Sequence, residues 1–227
     1  MLIDFKNRSQ YVKEDYRFKN RRKVLKIWAE KEMMNLNRMR RAGVRCPNVV
    51  KLKKHVLVMS FLGENGVAAP KLKDVIFDDE EQLRKAFDQC VEECKPRSKN
   101  GNFGTLHQWK NLQLICKALT LMYNECKLVH GDFSEFNILY HKGDCYIIDV
   151  AQSMDLSHPK SLMFLARDCR NIIQFFGKSG LENPLSPRQL FVKITNLGQF
   201  FVSDENFDVD LQVYIRENCL KNCKQEK

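Results

Sequence analysis

Asp132, Asn137 and Asp149 stand at a spacing suited to chemistry on phosphate. They fall in His130-Gly131-Asp132-Phe133-Ser134-Glu135-Phe136-Asn137 and, a short way on, in Tyr146-Ile147-Ile148-Asp149. The carboxylate of Asp132 can accept the proton of an attacking hydroxyl. The amide oxygen of Asn137 and the carboxylate of Asp149 can hold magnesium ions that neutralise charge on the phosphates. Either an Asp or an Asn alone near a turn is more simply a cap or a bend. Three in register on loop, strand, turn and strand point to phosphoryl transfer.

Those side chains need elements to position them. Ile138-Leu139-Tyr140 and Cys145-Tyr146-Ile147-Ile148 read as two short strands joined across the Gly-containing turn His141-Lys142-Gly143-Asp144, which returns Asp149 toward Asn137. Residues 23–41 have helical periodicity, with Leu25, Trp28, Leu36 and Met39 on one stripe and Gly43 as a stop. Glu32 lies inside that stripe and is expected to point inward, where a carboxylate needs a partner. Lys26 belongs to this helix, although Val24-Leu25-Lys26-Ile27 superficially resembles a nucleotide-binding strand.

Residues 48–53 and 55–61 read as a hairpin. Asp78 with Glu81 starts a helix running to about residue 94, residues 95–105 form a loop, and a second helix spans about 109–126. Residues 162–171 read as a helix. Ser186-Pro187-Arg188-Gln189 is a further helix start, and residues 203–227 are helix-prone.

The segments "LVHGDFSEFNILYH", "YIIDVAQS" and "HPKSLMFLARDCRNIIQFF" together resemble the RIO family of atypical protein kinases, as do "WAEKEMMNLNRMRRAGVRCPNVVKLKKHVLVMSFLG" and "APKLKDV" toward the N-terminus. The loop reads His-Gly-Asp where ordinary protein kinases have His-Arg-Asp, and Val150-Ala151 stands where Phe-Gly would follow Asp149. The resemblance implies an α+β, protein-kinase-like fold of two lobes: a truncated N-terminal lobe over residues 1–62 and a helical C-terminal lobe over 63–227, with an insertion at about 95–110. It implies Asp132 as the catalytic residue and Asn137 and Asp149 as metal ligands. Met59, Ser60 and Phe61 form the adenine hinge, and Glu32 is the helix Glu whose strand Lys, with the phosphate-covering loop, lies ahead of the matched region in the family and is missing here. Mg2+ and ATP are the implied cofactors. Phosphoryl transfer to Ser or Thr, or ATP hydrolysis, is the implied activity, with a role in small-ribosomal-subunit maturation. The alternative is a catalytically weak binding module that docks to a preribosome or a protein partner.

Composition agrees with a compact body: 227 residues, of which 44% are hydrophobic. No apolar run approaches the roughly 20 residues of a membrane span, and the start Met1-Leu2-Ile3-Asp4-Phe5-Lys6 does not read as a signal peptide. A cytosolic or nuclear protein is expected. The 9 cysteines are an odd number without a secretory signal, so free thiols are expected. Charge is uneven: residues 1–54 hold 17 Lys or Arg against 5 Asp or Glu, while the whole chain carries +10. Arg17, Lys19, Arg21, Arg22 and Lys23, with Arg38, Arg40 and Arg41, could meet preribosomal RNA or an acidic small-subunit protein, although a solvated helix face is favoured for any one of them.

Overall fold

The computed structural model describes residues 21–75, 103–179, 181 and 185–225. The helix expected over 78–94 lies outside the described residues, as do Arg17 and Lys19. Helix α1 (Arg21–Arg41) contains neither Gly nor Pro and carries the i,i+4 pair Lys26–Glu30 at 3.6 Å. Lys26 is thus helical. α1 ends in paired main-chain bonds, Gly43 N–H to Arg40 O at 3.0 Å and Val44 N–H to Met39 O at 3.0 Å, with Gly43 at φ 81°.

Leu36 and Met39 are buried as their stripe predicts, whereas Leu25, expected on the same stripe, is exposed. Periodicity identifies the apolar face, but burial also requires a neighbour. The side-chain bonds of α1 to the post-149 segment come from Lys31, Asn35 and Arg38, from the middle of the helix onward.

The first hairpin pairs β1 (Val49–Lys53) with β2 (Val56–Met59), and a smaller one pairs β3 (Gly63–Glu64) with β4 (Val67–Ala68). A Cβ at position 63 would lie 2.1 Å from Val67 O, so only glycine fits this crossing. Helix α2 (Phe103–Asn124) begins before the expected residue 109 and takes up part of the stretch expected as an insertion.

After β5 (Leu128–Val129) come a 3-10 turn (Glu135–Asn137), β6 (Ile138–His141), β7 (Asp144–Ile147) and β8 (Met154–Asp155). β6 and β7 pair from Ile138↔Ile147 to His141↔Asp144, and both turn residues have positive φ, Lys142 at 52° and Gly143 at 84°. That is the two-residue turn whose twist suits a hairpin. β8 pairs with β5, so the chain after Asp149 is tied to the strand that leads into His130.

Helices α3 (Ser161–Lys178), α4 (Pro187–Thr195) and α5 (Phe207–Gln225) complete the body. α3 runs past the expected residue 171. α4 starts with the full capping box: Ser186 Oγ accepts from Gln189 N–H, and the Gln189 side chain accepts from Ser186 N–H. The core joins Ile115, Leu119 and Met122 of α2 with Leu165, Ile172 and Phe176 of α3 and Leu190, Phe191 and Ile194 of α4. Offsets of 4 and 7 in α2, 7 and 11 in α3, and 1 and 4 in α4 put each set on one helix face. The mixture of antiparallel hairpins and packed helices is an α+β fold.

Cys46, Cys116, Cys126, Cys145 and Cys169 are buried free thiols. Among the described residues no helix is long and apolar enough to cross a membrane.

Candidate active site

Asp132 sits on the loop between β5 and the 3-10 turn, with its side chain exposed and its neighbours buried. The loop is gripped by α3. The carboxylate of Asp168 accepts Gly131 N–H at 2.8 Å and Phe133 N–H at 3.0 Å. Asn171 donates to Phe133 O at 3.2 Å, and Arg167 donates to Gly131 O while stacking its guanidinium over Phe164 at 4.6 Å. Four main-chain groups on either side of Asp132 are therefore satisfied by three side chains of one helix.

Gly131 has φ 78°, and a Cβ there would lie 2.8 Å from the Met154 side chain. The departure from His-Arg-Asp follows from that left-handed backbone, which a β-carbon disfavours. His130 is buried and edge-on to Phe133, with ring centroids 5.2 Å apart. Burial pushes its pKa down to about 4, opposed by its contact with Ile148 O, so the neutral ring uses Nε2–H to donate across 3.2 Å to the first carbonyl past β7.

Asn137 ties the loop to the hairpin. Its side-chain Nδ2 donates to Asp132 O at 2.8 Å, and its own carbonyl accepts Ile148 N–H at 3.0 Å, next to Asp149. The donation fixes the amide and leaves Oδ1 as the available oxygen. Asp149 has φ 59°, a left-handed conformation that Asp tolerates better than most residues. Its pKa is raised by partial withdrawal from water and then by the charge of Asp132, with Lys71 opposing. Two carboxylates that repel across a shared space, beside an oriented amide oxygen, are a hard-oxygen donor set that fits Mg2+, which uses one or two protein ligands and completes its shell with water and phosphate.

Glu32 does point inward, as expected. Its Oε2 is buried with no hydrogen-bond partner among the described residues, and no Lys or Arg pairs with it there. Burial pushes its pKa up to about 7, opposed by the backbone amide of Val150, with Asp149 adding repulsion and the amide of Ala151 relief. The folded state holds this proton more tightly than the unfolded one. Its contribution to stability is therefore present below about pH 4.5 and is lost as pH rises through about 7. Glu32→Gln should match the parent Tm at pH 5 and exceed it at pH 8 by about 4 °C, equivalent to roughly 1–2 kcal/mol. Thermal unfolding at the two pH values checks this.

At the expected hinge, Met59 ends β2 and Phe61 is exposed. Ser60 is bonded twice to Asn48: its N–H donates to Asn48 O at 2.8 Å, and its Oγ accepts Asn48 N–H at 2.8 Å. Among the described residues, the carbonyl of Ser60 and the N–H of Leu62 stay unbonded, an acceptor and a donor on neighbouring main-chain units.

The RIO domain family model matches residues 1–103 and 95–190 of this chain. The chain belongs to the RIO kinase family. Human serine/threonine-protein kinase RIO3 is 44% identical over 223 residues, covering 96% of this chain and 38% of that protein. RIO3 of Caenorhabditis elegans is 45% identical over 230 residues, covering 100% of this chain and 40% of that protein. The chain therefore spans about two fifths of the length of these relatives. Its N-terminal segments, which look most like RIO kinase 3 on sequence, agree with those identities. A solved structure, the Rio2 kinase–ADP/Mg2+–phosphoaspartate complex from Chaetomium thermophilum, overlaps 87% of this chain and 56% of its own with a TM-score of 0.44 and 20% identity.

In this RIO chain the structure brings Asp132, Asn137 and Asp149 to one place, with Glu32 behind Asp149. Met59, at the end of β2, and Ser60 and Phe61 just after it form a separate stretch. Sequence reasoning misses Arg167, Asp168 and Asn171. A signal for Asp168 was available: it sits three after Leu165 and four before Ile172, an acid inside an apolar stripe, the same pattern that singled out Glu32. Of the basic cluster, Arg38 is used internally, paired with Asp155 at 2.7 Å, while Arg40 and Arg41 are exposed.

Proposed function

We propose that this chain is the nucleotide-handling part of a Mg-ATP-dependent serine/threonine kinase. The observation that carries this reading is Asn137, whose side chain and carbonyl join the Asp132 loop to the strand end bearing Asp149. Asp132, exposed at the tip of a clamped loop, takes the proton from a Ser or Thr hydroxyl. Asp149 and Asn137 Oδ1 hold Mg2+, which when bound supplies the positive charge that neutralises the phosphates. The Ser60 carbonyl and the Leu62 N–H meet the hydrogen-bonding edge of adenine, with Met59 and Phe61 offering apolar surface to its ring. Residues 1–62 and 63–227 correspond to the two lobes of such an enzyme, with an insertion at about 95–110.

A second reading, a catalytically weak module that binds a preribosome, draws on Glu32, which has no cation among the described residues, and on the exposed Arg40 and Arg41. Small-subunit maturation and a cytoplasmic location belong to both readings, as does contact with preribosomal RNA or small-subunit proteins through the basic N-terminal segment. Incubation with γ-labelled ATP, with Mg2+ or with EDTA, separates them. The kinase reading expects Mg2+-dependent transfer to Ser or Thr, in the chain itself or in added peptides. Nucleotide-independent RNA binding with no transfer or phosphate release would favour the binding module.

A further inference from the structure

Besides Glu32, three side chains of α1 hold the segment that follows Asp149. Lys31, Asn35 and Arg38 stand at i, i+4 and i+7, one face of the helix, and all three reach the segment after Asp149. Lys31 Nζ donates to Ser153 O at 3.4 Å, Asn35 Nδ2 to Val150 O at 2.7 Å, and Arg38 to the Asp155 carboxylate at 2.7 Å. Asn35 is the buried member, 8% exposed, and it spans 115 positions of sequence. Val150 O also accepts Ser153 N–H at 3.1 Å, so both its lone pairs are used and the turn over residues 150–153 is closed from two sides.

Asp149 lies between two anchors. Ile148 N–H is bonded to Asn137 on one side, and Val150 O is bonded to Asn35 on the other. With the residues on both sides of it held in this way, the left-handed backbone of Asp149 is fixed, and with it the direction in which its Cα–Cβ bond leaves the chain.

We infer that Asn35 is a positioning residue for Mg2+ capture by Asp149, acting through the Val150 carbonyl and thereby linking the seating of α1 to metal affinity. The inference rests on the kinase reading above. Partners that orient a ligand without touching the metal are typically worth 10–100-fold in metal affinity. Asn35→Leu keeps the volume and removes the donor. Mg2+ titration with a fluorescent ATP analogue should then show half-saturation at about tenfold higher Mg2+, with analogue binding in EDTA unchanged. In the metal-free protein the Ser153 amide should exchange its hydrogen faster.

A core variant on α4, Ile194→Val, should lose comparable stability and change neither measurement. An unchanged Mg2+ dependence in Asn35→Leu, or an equal shift in Ile194→Val, overturns the inference. If Asn35→Leu does not fold, Arg38→Gln carries the test, because its half-exposed pair can be lost without unfolding. A rise of about twofold in the Mg2+ requirement is expected there, in line with a surface pair, and no rise overturns the inference. A parent chain without Mg2+-dependent nucleotide binding removes the kinase reading and this inference with it, an outcome distinct from a parent that binds and a variant that equals it.

Discussion

Asp149→Asn should abolish Mg2+-dependent nucleotide binding while raising the thermal stability of the metal-free chain. Asparagine keeps the shape and tolerates the left-handed backbone at φ 59°, so the change isolates the charge. Without it, one carboxylate no longer repels Asp132, and a partly dehydrated acid is replaced by a neutral amide, the two causes that raise the Asp149 pKa. Because groups one shell further out are already worth 10–100-fold, loss of Asp149 in the direct-ligand role proposed for it should weaken Mg2+-nucleotide binding by about a hundredfold or more. Asp132→Asn should behave oppositely, retaining binding and losing roughly 10²–10⁴-fold in turnover, the usual value of a general base. Binding titrations and single-turnover transfer on both variants decide the roles. Equal losses of affinity in the two would remove the distinction between base and ligand.

Asp168→Ala has the largest expected effect on the fold. It leaves the N–H groups of Gly131 and Phe133 buried without an acceptor and removes the carboxylate beside Arg167. Each stranded donor costs about 1–3 kcal/mol, and breaking a buried charged network costs about 3–5 kcal/mol. With roughly 2–4 °C per kcal/mol for a chain of this size, Tm should fall by about 10 °C. Burial pushes the Asp168 pKa up to about 7 despite both amide bonds and Arg167, so its ionised form is the less favourable one and its contribution to stability declines as pH rises through that value. The cost of Asp168→Ala should therefore depend on pH between 5 and 8, whereas a purely volumetric loss would not. Differential scanning calorimetry across that range is the measurement.

The parts of this site legible in the sequence are those written in adjacent residues. The β6–β7 hairpin, its turn at Lys142-Gly143, the Ser186 capping box and the inward Glu32 each follow from spacing within a dozen positions, and each is found. The clamp on the Asp132 loop joins residues 35–38 positions apart, and the ties from α1 join residues 115–122 apart, so no local period announces them. Leu25 shows the converse. Its place on an apolar stripe is visible, but its exposure depends on which neighbours reach that end of α1. The start of α2 at Phe103 was hidden for another reason: loop-forming residues just before it made the boundary look later than it is.

The grips of α3 on the Asp132 loop and of Asn35 on the Asp149 segment are made almost wholly to main-chain N–H and C=O groups. Every amino acid other than proline offers the same two groups, so such holds are indifferent to the identity of the residue held. Gly131 apart, whose left-handed backbone disfavours a β-carbon, the chain can thus vary next to its two acids without losing their geometry, as Val150-Ala151 does where another pair stands in ordinary protein kinases. Volume remains the constraint at Phe133 and Val150, which are both fully enclosed. Ser134, Glu135, Ala151 and Gln152 have more room, and they are the positions where descendants of this sequence can drift and still keep a working pair of acids.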